Sequence, residues 1–342
     1  MKLGWKELVR MKGRFGWMTI VTMLIVLLIL MITGLADGLA YDNGAAVRNL
    51  PVEQFALSKD AEGQLTRSFL QADETPEGAE ALGVQNMVLE KKNGTKDDVT
   101  VFALPQTTNY GPEQLRSLQK GEVLVDAAYA EQRGTRVGDT ITDFRTKETF
   151  RIAGTVTDGR YSHAPVLWMT DESWQAWQSK MGASYVSAYI GQSLQTDQAV
   201  FSKQAVVENV PGYAAEQNSF QMMRVALVVI GALILTAFFY ILTMQKMKQL
   251  GVLKAIGIRT RTMGASLLVQ VILLTSLAFG VSVVITYLTS RFLPADLPFR
   301  FEWSTSLMYG GILLATAILG ALVPLRMVKK LEAADAMGGM NG

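Results

Sequence analysis

Four stretches of this chain are apolar for longer than a globular core helix needs, and polar sequence separates them unequally. Gly16 to Ala36, Val225 to Thr243, Met263 to Leu288 and Leu307 to Val323 contain no Asp, Glu, Lys, Arg or His. At ~1.5 Å of rise per residue, each is about long enough to cross the hydrocarbon of a bilayer. The pattern predicts a polytopic α-helical membrane protein with four transmembrane helices, at 16–36, 223–243, 263–288 and 307–325. Cations precede the first stretch, as in a signal peptide. Its apolar run exceeds the ~7–15 residues of such a core, however, and no Ala-x-Ala-like site closes it, so a retained helix is expected. Gly34 to Asp42 keeps helical spacing, which extends that helix beyond the membrane.

The long polar segment, 37–222, reads as one mixed α/β extracytoplasmic domain between helices 1 and 2, with helical stalks. Alternation and β-branched content predict strands at Val52–Leu57, Val84–Glu90, Val99–Leu104, Val123–Asp126 and Phe150–Thr157. Asp126 to Arg133 is expected to be helical and to stop at the glycines 134 and 138. Thr170 to Trp177 reads as a capped helix, and Thr196 to Val210 as another. After Pro211-Gly212, Ala214 to Met223 should run straight into the second span.

Charge gives the orientation. Residues 37–222 hold 16 Lys+Arg against 25 Asp+Glu, a net of −9. The other membrane-flanking segments are basic: five cations and one acid in 1–15, five and none in 244–262, three and two in 326–342. The positive-inside rule then puts both termini and 244–262 in the cytoplasm, leaves 289–306 as a short outer loop, and makes the host the cell membrane. Lys2, Lys6 and Arg10 recur every four positions opposite Leu3, Trp5, Leu8 and Val9, which predicts an amphipathic interfacial helix over 1–15. Small residues four apart, Ser276/Gly280, Gly311/Ala315 and Thr316/Gly320, are candidates for close helix packing, and Gln270 for an interhelical hydrogen bond.

The chain lacks several chemistries. Its 342 residues include no cysteine and one histidine, His163, so Cys-ligated metals, disulfides and paired-His metal motifs are excluded. There is no Gly-Lys dipeptide for a phosphate-binding loop and no intramembrane carboxylate or cation for ion coupling. No basic, aromatic-interleaved face supports nucleic-acid binding. Catalysis would rest on His163 alone, so the chain is expected to be a non-catalytic subunit without an intrinsic cofactor. A membrane protein with no motor borrows one. The acid-free segment 244–262 places Leu250, Val252, Leu253, Ile256 and Ile258 among Lys246, Lys248, Lys254, Arg259 and Arg261, and so offers apolar knobs and cations to such a partner.

Met247-Lys-Gln-Leu-Gly-Val-Leu-Lys-Ala-Ile-Gly257 resembles the R-E-[IL]-G-[IV]-L-[KR]-A-[IL]-G segment of MacB/FtsX-type (type VII) ABC transporter permeases, with Lys248-Gln249 in place of Arg-Glu. Pro324 to Ala336 looks like the ending of the same family, departing from it at Val328, Ala333 and Asp335. Glu122 to Ala130 and Val137 to Thr140 are similar to its extracytoplasmic domain. Leu3 to Arg10, with Thr33 to Ala40, is similar to the HrtB/DevC branch and its haem-exporter permeases. The resemblance implies a homodimer in the lipid bilayer, bound to two copies of a separate ABC ATPase that carries ATP and Mg²⁺ and transmits force by mechanotransmission. The ATPase would dock on Lys246, Lys248, Gln249, Leu250, Gly251, Val252, Leu253, Lys254, Ile256 and Gly257. Two other readings remain open: an FtsX-like transducer regulating a cell-wall hydrolase, and a macrolide or lipoprotein exporter of an envelope complex.

If haem is the transported substrate, its site needs apolar walls, an axial ligand and cations for the propionates. The outer membrane boundary collects candidates: Met31, Asp37 and Tyr41 on the first span, and Glu216, Gln217, Phe220, Met222, Met223 and Arg224 on the second. Met31, Asp37, Tyr41 and Met222 are the candidate iron ligands. In a two-fold dimer, one ligand from each copy could sandwich the iron.

Overall fold

A computed structural model describes residues 12–90, 95–157, 159–294 and 297–330. Nearly all of the expected N-terminal amphipathic helix and most of the C-terminal tail lie outside the described residues. In chain order the elements are α1 (Lys12–Arg48), β1 (Gln54–Leu57), β2 (Glu80–Glu90), β3 (Lys96–Leu104), β4 (Glu122–Asp126), α2 (Ala127–Arg133), β5 (Thr140–Asp143), β6 (Thr149–Val156), β7 (Arg160–Tyr161) and β8 (Ala164–Thr170). They continue with α3 (Asp171–Ser179), β9 (Ala188–Gly191), β10 (Ala199–Ser202), α4 (Lys203–Glu208), α5 (Tyr213–Gln245), α6 (Met247–Ala255), α7 (Thr260–Phe292), α8 (Trp303–Gly320) and α9 (Leu322–Lys330). The chain divides into a helical unit (Met1–Asp37, Ser219–Leu293, Phe299–Gly342) and an α/β unit (Gly38–Asn218 with Pro294–Pro298).

Among the described residues, four helices are long and apolar enough to cross a membrane, as the hydropathy pattern predicts. Their buried residues form two clusters. One gathers Phe15, Met18, Leu235, Phe239, Leu242, Val271, Leu274, Ala317 and Ala321. The other gathers Val26, Ile29, Leu30, Tyr309 and Leu313. Each cluster draws on α1 and α8, so both halves of the bundle are cross-tied. Ser282 of α7 adds a polar tie, its hydroxyl donating to the Met23 carbonyl of α1 at 2.9 Å.

Glycines set the closest approaches, but only in part those that the four-residue spacing singles out. Gly310 takes the Phe279 ring, Gly320 the Thr236 side chain, Gly231 the Ile25 methyl and Gly264 the end of Leu325. Gly311 and Gly280 have open space where a Cβ would stand, so neither packs closely within the single chain. One residue on a helix is ~100° of rotation, which moves the contact from Gly311 to Gly310. The fourth candidate span runs from Trp303 to Arg326 and contains the expected 307–325, with a turn at Ala321 ahead of Pro324, which offers no N–H to the preceding turn.

The α/β unit is built around β2. Glu80–Leu82 at its start pair with β9, which pairs with β1 and then β10. Gly83–Glu90 pair with β3, and the sheet continues through β8, β4, β6 and β5. β5 folds back so that Leu89 and Glu90 of β2 face Asp143 and Thr142, closing a six-strand circuit. Strand alternation splits the apolar side chains between two cores. Met87, Val101, Val123, Leu167 and Met169 pack with Tyr129 of α2 and Trp174 and Trp177 of α3. Val84, Phe102, Leu124, Val166 and Trp168 face β1, β9, the end of α1 and α4.

The five predicted strands lie inside β1, β2, β3, β4 and β6, apart from terminal residues. Asp126 and Thr170 cap α2 and α3 through their side chains. The expected helix Thr196–Val210 is corrected to strand β10 followed by the short α4. Ala199–Ser202 pairs antiparallel with β1, and the Ser202 hydroxyl accepts the Ala205 N–H to start α4. β8 carried no strand expectation, yet it is central, parallel to β3 and antiparallel to β4. Its segment Ala164–Thr170 is apolar on both faces because both faces are covered, so it lacks the alternation that marks a half-exposed strand.

Candidate functional sites

The segment between the second and third apolar helices is itself ordered by local rules. α5 ends at Gln245, Lys246 stands at the break, and α6 runs from Met247 to Ala255. At the end of α6, Gly257 adopts φ +90, its N–H bonding the Lys254 carbonyl at 3.0 Å, and the Ile258 N–H bonds the Leu253 carbonyl at 3.0 Å. This pair of bonds satisfies carbonyls that the helix leaves open, and it needs a left-handed residue, hence glycine. Arg259 then enters α7 in extended conformation.

The two faces of α6 differ. Leu250, Leu253 and Lys254 are half-buried and Gly251 is buried. Lys248, Gln249, Val252 and Ile256 are exposed, Val252 at 55% and Ile256 at 71%. Lys248, Val252 and Ile256 are spaced by four and so lie along one stripe. Two exposed aliphatic residues beside cations, with no acid in the segment, make a surface suited to an apolar and acidic counterpart. Lys246 is partly occupied, its ammonium 5.3 Å from the centre of the Phe15 ring.

At the other end of the apolar helices, the helical unit brings Asp37 and Arg224 together. Arg224 Nη2 lies 3.3 Å from Asp37 Oδ1, and Nη1 donates to the Tyr309 hydroxyl at 3.3 Å. Arg224 is 9% exposed, so it does not snorkel. One ion pair and one phenol thus tie α1, α5 and α8. Close by in sequence, the Gly34 carbonyl accepts the Arg300 N–H at 2.9 Å, and the Phe299 ring occupies the space above Gly34. Met31 and Phe220 are half-buried, while Met222 and Met223 are exposed at 71% and 40%.

The remaining candidates belong to the α/β unit. Tyr41 is half-buried on α1. Glu216, in the first turn of α5, meets His163 Nε2 at 3.0 and 3.1 Å and accepts from Asn43 Nδ2 at 3.4 Å. His163 reaches it from the two-residue turn between β7 and β8, where Ser162 and His163 both have positive φ. The Ser162 N–H also bonds the Asn43 carbonyl at 2.9 Å, and Arg160 pairs with Asp42 at 3.4 Å. This hairpin therefore fastens the end of α1 and the start of α5 to the sheet. Sequence reasoning left His163 without a role and missed Tyr309. The legible signal for Tyr309 was a phenol inside an otherwise apolar span.

The family model described as FtsX-like permease C-terminal matches residues 222–333. Over its whole length the chain is 29% identical, across 361 aligned residues covering all of both chains, to a Staphylococcus haemolyticus protein named "Putative hemin transport system permease protein HrtB". It is 26% identical over 356 residues, 99% of each chain, to a Staphylococcus epidermidis protein of the same name. The periplasmic region of MacB from Actinobacillus actinomycetemcomitans aligns with 48% of this chain and 97% of that structure, with a TM-score of 0.33 and 11% identity.

Proposed function

We propose that this chain, whose residues 222–333 match the FtsX-like permease C-terminal family model, is the membrane subunit of an ATP-driven exporter whose cargo is haem. An ABC permease of this kind works with an ATPase on another chain. In our reading two copies of each assemble, the termini and α6 face the cytoplasm, and the α/β unit lies outside. The observation that carries the reading is α6: a short, firmly capped helix, acid-free, presenting Val252 and Ile256 between two membrane-length helices. Such a helix passes a push from a closing motor to α5 and α7 together, because it is tied to both within a few residues. The relatives named for hemin transport support haem as cargo.

For the cargo site we propose the helical-unit residues Met31, Phe220, Met222 and Met223, with soft thioether ligands for iron and apolar walls for the porphyrin. Asp37 and Arg224, on the same two helices, form a pair that a haem propionate would compete for.

The test reconstitutes the chain with its ATPase in proteoliposomes and follows ATP-dependent haem loss from the bilayer. Haem absorption is then read in Met31→Ala, Asp37→Ala, Phe220→Ala, Met222→Ala and Met223→Ala. Unchanged spectra in all five would remove this site. A deletion strain that separates poorly at division, and tolerates haem normally, would replace export by a transducer role.

A further inference from the structure

Strand pairing in the α/β unit is closed at one end and open at the other. β5 returns to β2, so every strand of that circuit has a neighbour on both sides. At the other end, β10 pairs with β1 alone among the described strands. A bare row of backbone groups recruits another strand, and proteins commonly guard such an edge with lysine, proline or a bulge. Ala199-Val-Phe-Ser202 contains neither residue, its register with β1 is unbroken, and Val200 is 41% exposed.

The ladder shows which groups this edge leaves open. The Lys203 N–H bonds the Glu53 carbonyl at 3.0 Å, one step beyond the Ser202–Gln54 pair. Bonded and non-bonded pairs alternate in an antiparallel ladder, so Phe201 and Ala199 also bond β1. Val200 and Ser202 therefore turn their backbone groups away from it. Two local commitments trim the set. Ser202 is the N-cap of α4, a position whose carbonyl accepts the first helical bond. The Gln198 N–H bonds the Thr196 hydroxyl at 3.3 Å. Continuing the alternation to Gln198, the open groups run in chain order as carbonyl 198, N–H 200, carbonyl 200 and N–H 202.

That order is its own antiparallel complement. Two copies laid edge to edge, with a two-fold axis at Val200, pair all four groups: the Val200 residues exchange both bonds, and each Ser202 N–H meets the Gln198 carbonyl of the other copy. The same arrangement brings the exposed Asp197 of each copy level with Lys203 of the other. The Lys203 ammonium donates once, to the Leu50 carbonyl at 3.0 Å, and an ammonium has three donors. We propose that β10 pairs with β10 of a second copy of this chain, joining the two sheets across that axis. A foreign extended segment would lack both the complementary order and the opposite charges at the two ends. The inference rests on the reading that two copies assemble. Backbone bonds contribute little net free energy each, so four of them hold only copies that the complex already keeps close.

The chain has no cysteine, so single cysteines report on this contact. Two Val200→Cys copies in a hydrogen-bonded pair stand about 5.5 Å apart at Cα, within the ~4.4–6.8 Å that a disulfide spans. The complex with the ATPase, in detergent, is oxidised with copper phenanthroline and run on non-reducing gels. A linked dimer of twice the chain's mass is expected at least about tenfold faster than with Val137→Cys, an exposed site outside β10. Gln198→Cys and Ser202→Cys on separately tagged copies should link to each other and neither to itself, which reads the register. Light scattering on the unsubstituted complex counts the copies. Two copies with no excess linking at Val200 would overturn this interface and leave the assembly standing, whereas a single copy would overturn both. Linking of Val200→Cys to the ATPase instead, or equal self-linking by all three edge variants, would also overturn it.

Discussion

Arg224 and Asp37 form an ion pair at 3.3 Å, the cation almost wholly buried, between two helices that are each membrane-length. A buried pair like this adds little over well-packed apolar residues, but breaking it leaves a charge with no water and no partner. Arg224→Met is therefore expected to destabilise the helical unit by about 3–5 kcal/mol, and Asp37→Asn by less, since an amide still accepts from the guanidinium. The double variant Asp37→Asn/Arg224→Met should lose less than the sum of the two. Thermal unfolding in detergent across this cycle reads the coupling, and strict additivity would refute it.

Two adjacent glycines of α8 should behave oppositely. A Cβ on Gly310 collides with the Phe279 ring, whereas one on Gly311 meets nothing within 4 Å. Gly310→Val is expected to cost about 1–3 kcal/mol through overpacking. Gly311→Val should stay within about 0.5 kcal/mol in the isolated chain. The melting temperatures of the two purified variants decide it.

The contrast also shows which parts of the structure the sequence reveals. The four apolar helices are legible because solvation in lipid leaves an unbroken signal, and the cap Thr170 because capping is local chemistry. The choice of Gly310 over Gly311 was not legible, since it depends on which face a neighbouring helix occupies. The strand β8 escaped notice for a related reason: burial on both faces erases alternation. β10 carries no local strand signal, because its pairing with β1 joins residues more than a hundred positions apart. Among site residues, Asp37 and Arg224 stand out in the sequence by their position at the membrane boundary, and only tertiary structure shows that they satisfy each other.

Asp143 holds the turn after β5 and should give the α/β unit an acid-sensitive joint. It is 1% exposed. Burial pushes its pKa up, but hydrogen bonds from the Thr146 hydroxyl, the Trp177 indole and the Thr146 and Arg145 backbone N–H groups outweigh this and leave it below the usual aspartate range. A carboxylate depressed on folding stabilises fully above its unfolded pKa of about 3.9, and that contribution is lost as pH falls through the lower folded value. The unit should therefore hold its stability from neutral pH to about 5 and weaken below about 4. Asp143→Asn should cost about 1–3 kcal/mol at neutral pH and flatten the acid limb. Denaturant titrations of the full chain at several pH values, followed by tryptophan emission, measure both effects.

The last prediction separates docking from stiffness in α6. Val252 and Ile256 are exposed, so Val252→Asp and Ile256→Asp should leave the melting temperature of the isolated chain within about 1 °C or 2 °C, in keeping with surface changes of about 0.5 kcal/mol. If these side chains seat in the partner ATPase, each aspartate buries a charge in an apolar contact and repels an acidic surface. The expected loss of affinity is at least about 2 kcal/mol, roughly thirtyfold. Gly257→Ala acts differently, because alanine resists the left-handed conformation at φ +90 that closes the helix, at a cost of about 1–3 kcal/mol. That variant should still bind the ATPase, since the exposed stripe is intact, but the end of α6 frays and cargo-stimulated ATP hydrolysis falls. Affinity by pull-down and hydrolysis by phosphate release, measured side by side, distinguish the two. Normal affinity in both aspartate variants would remove α6 as the point where force enters.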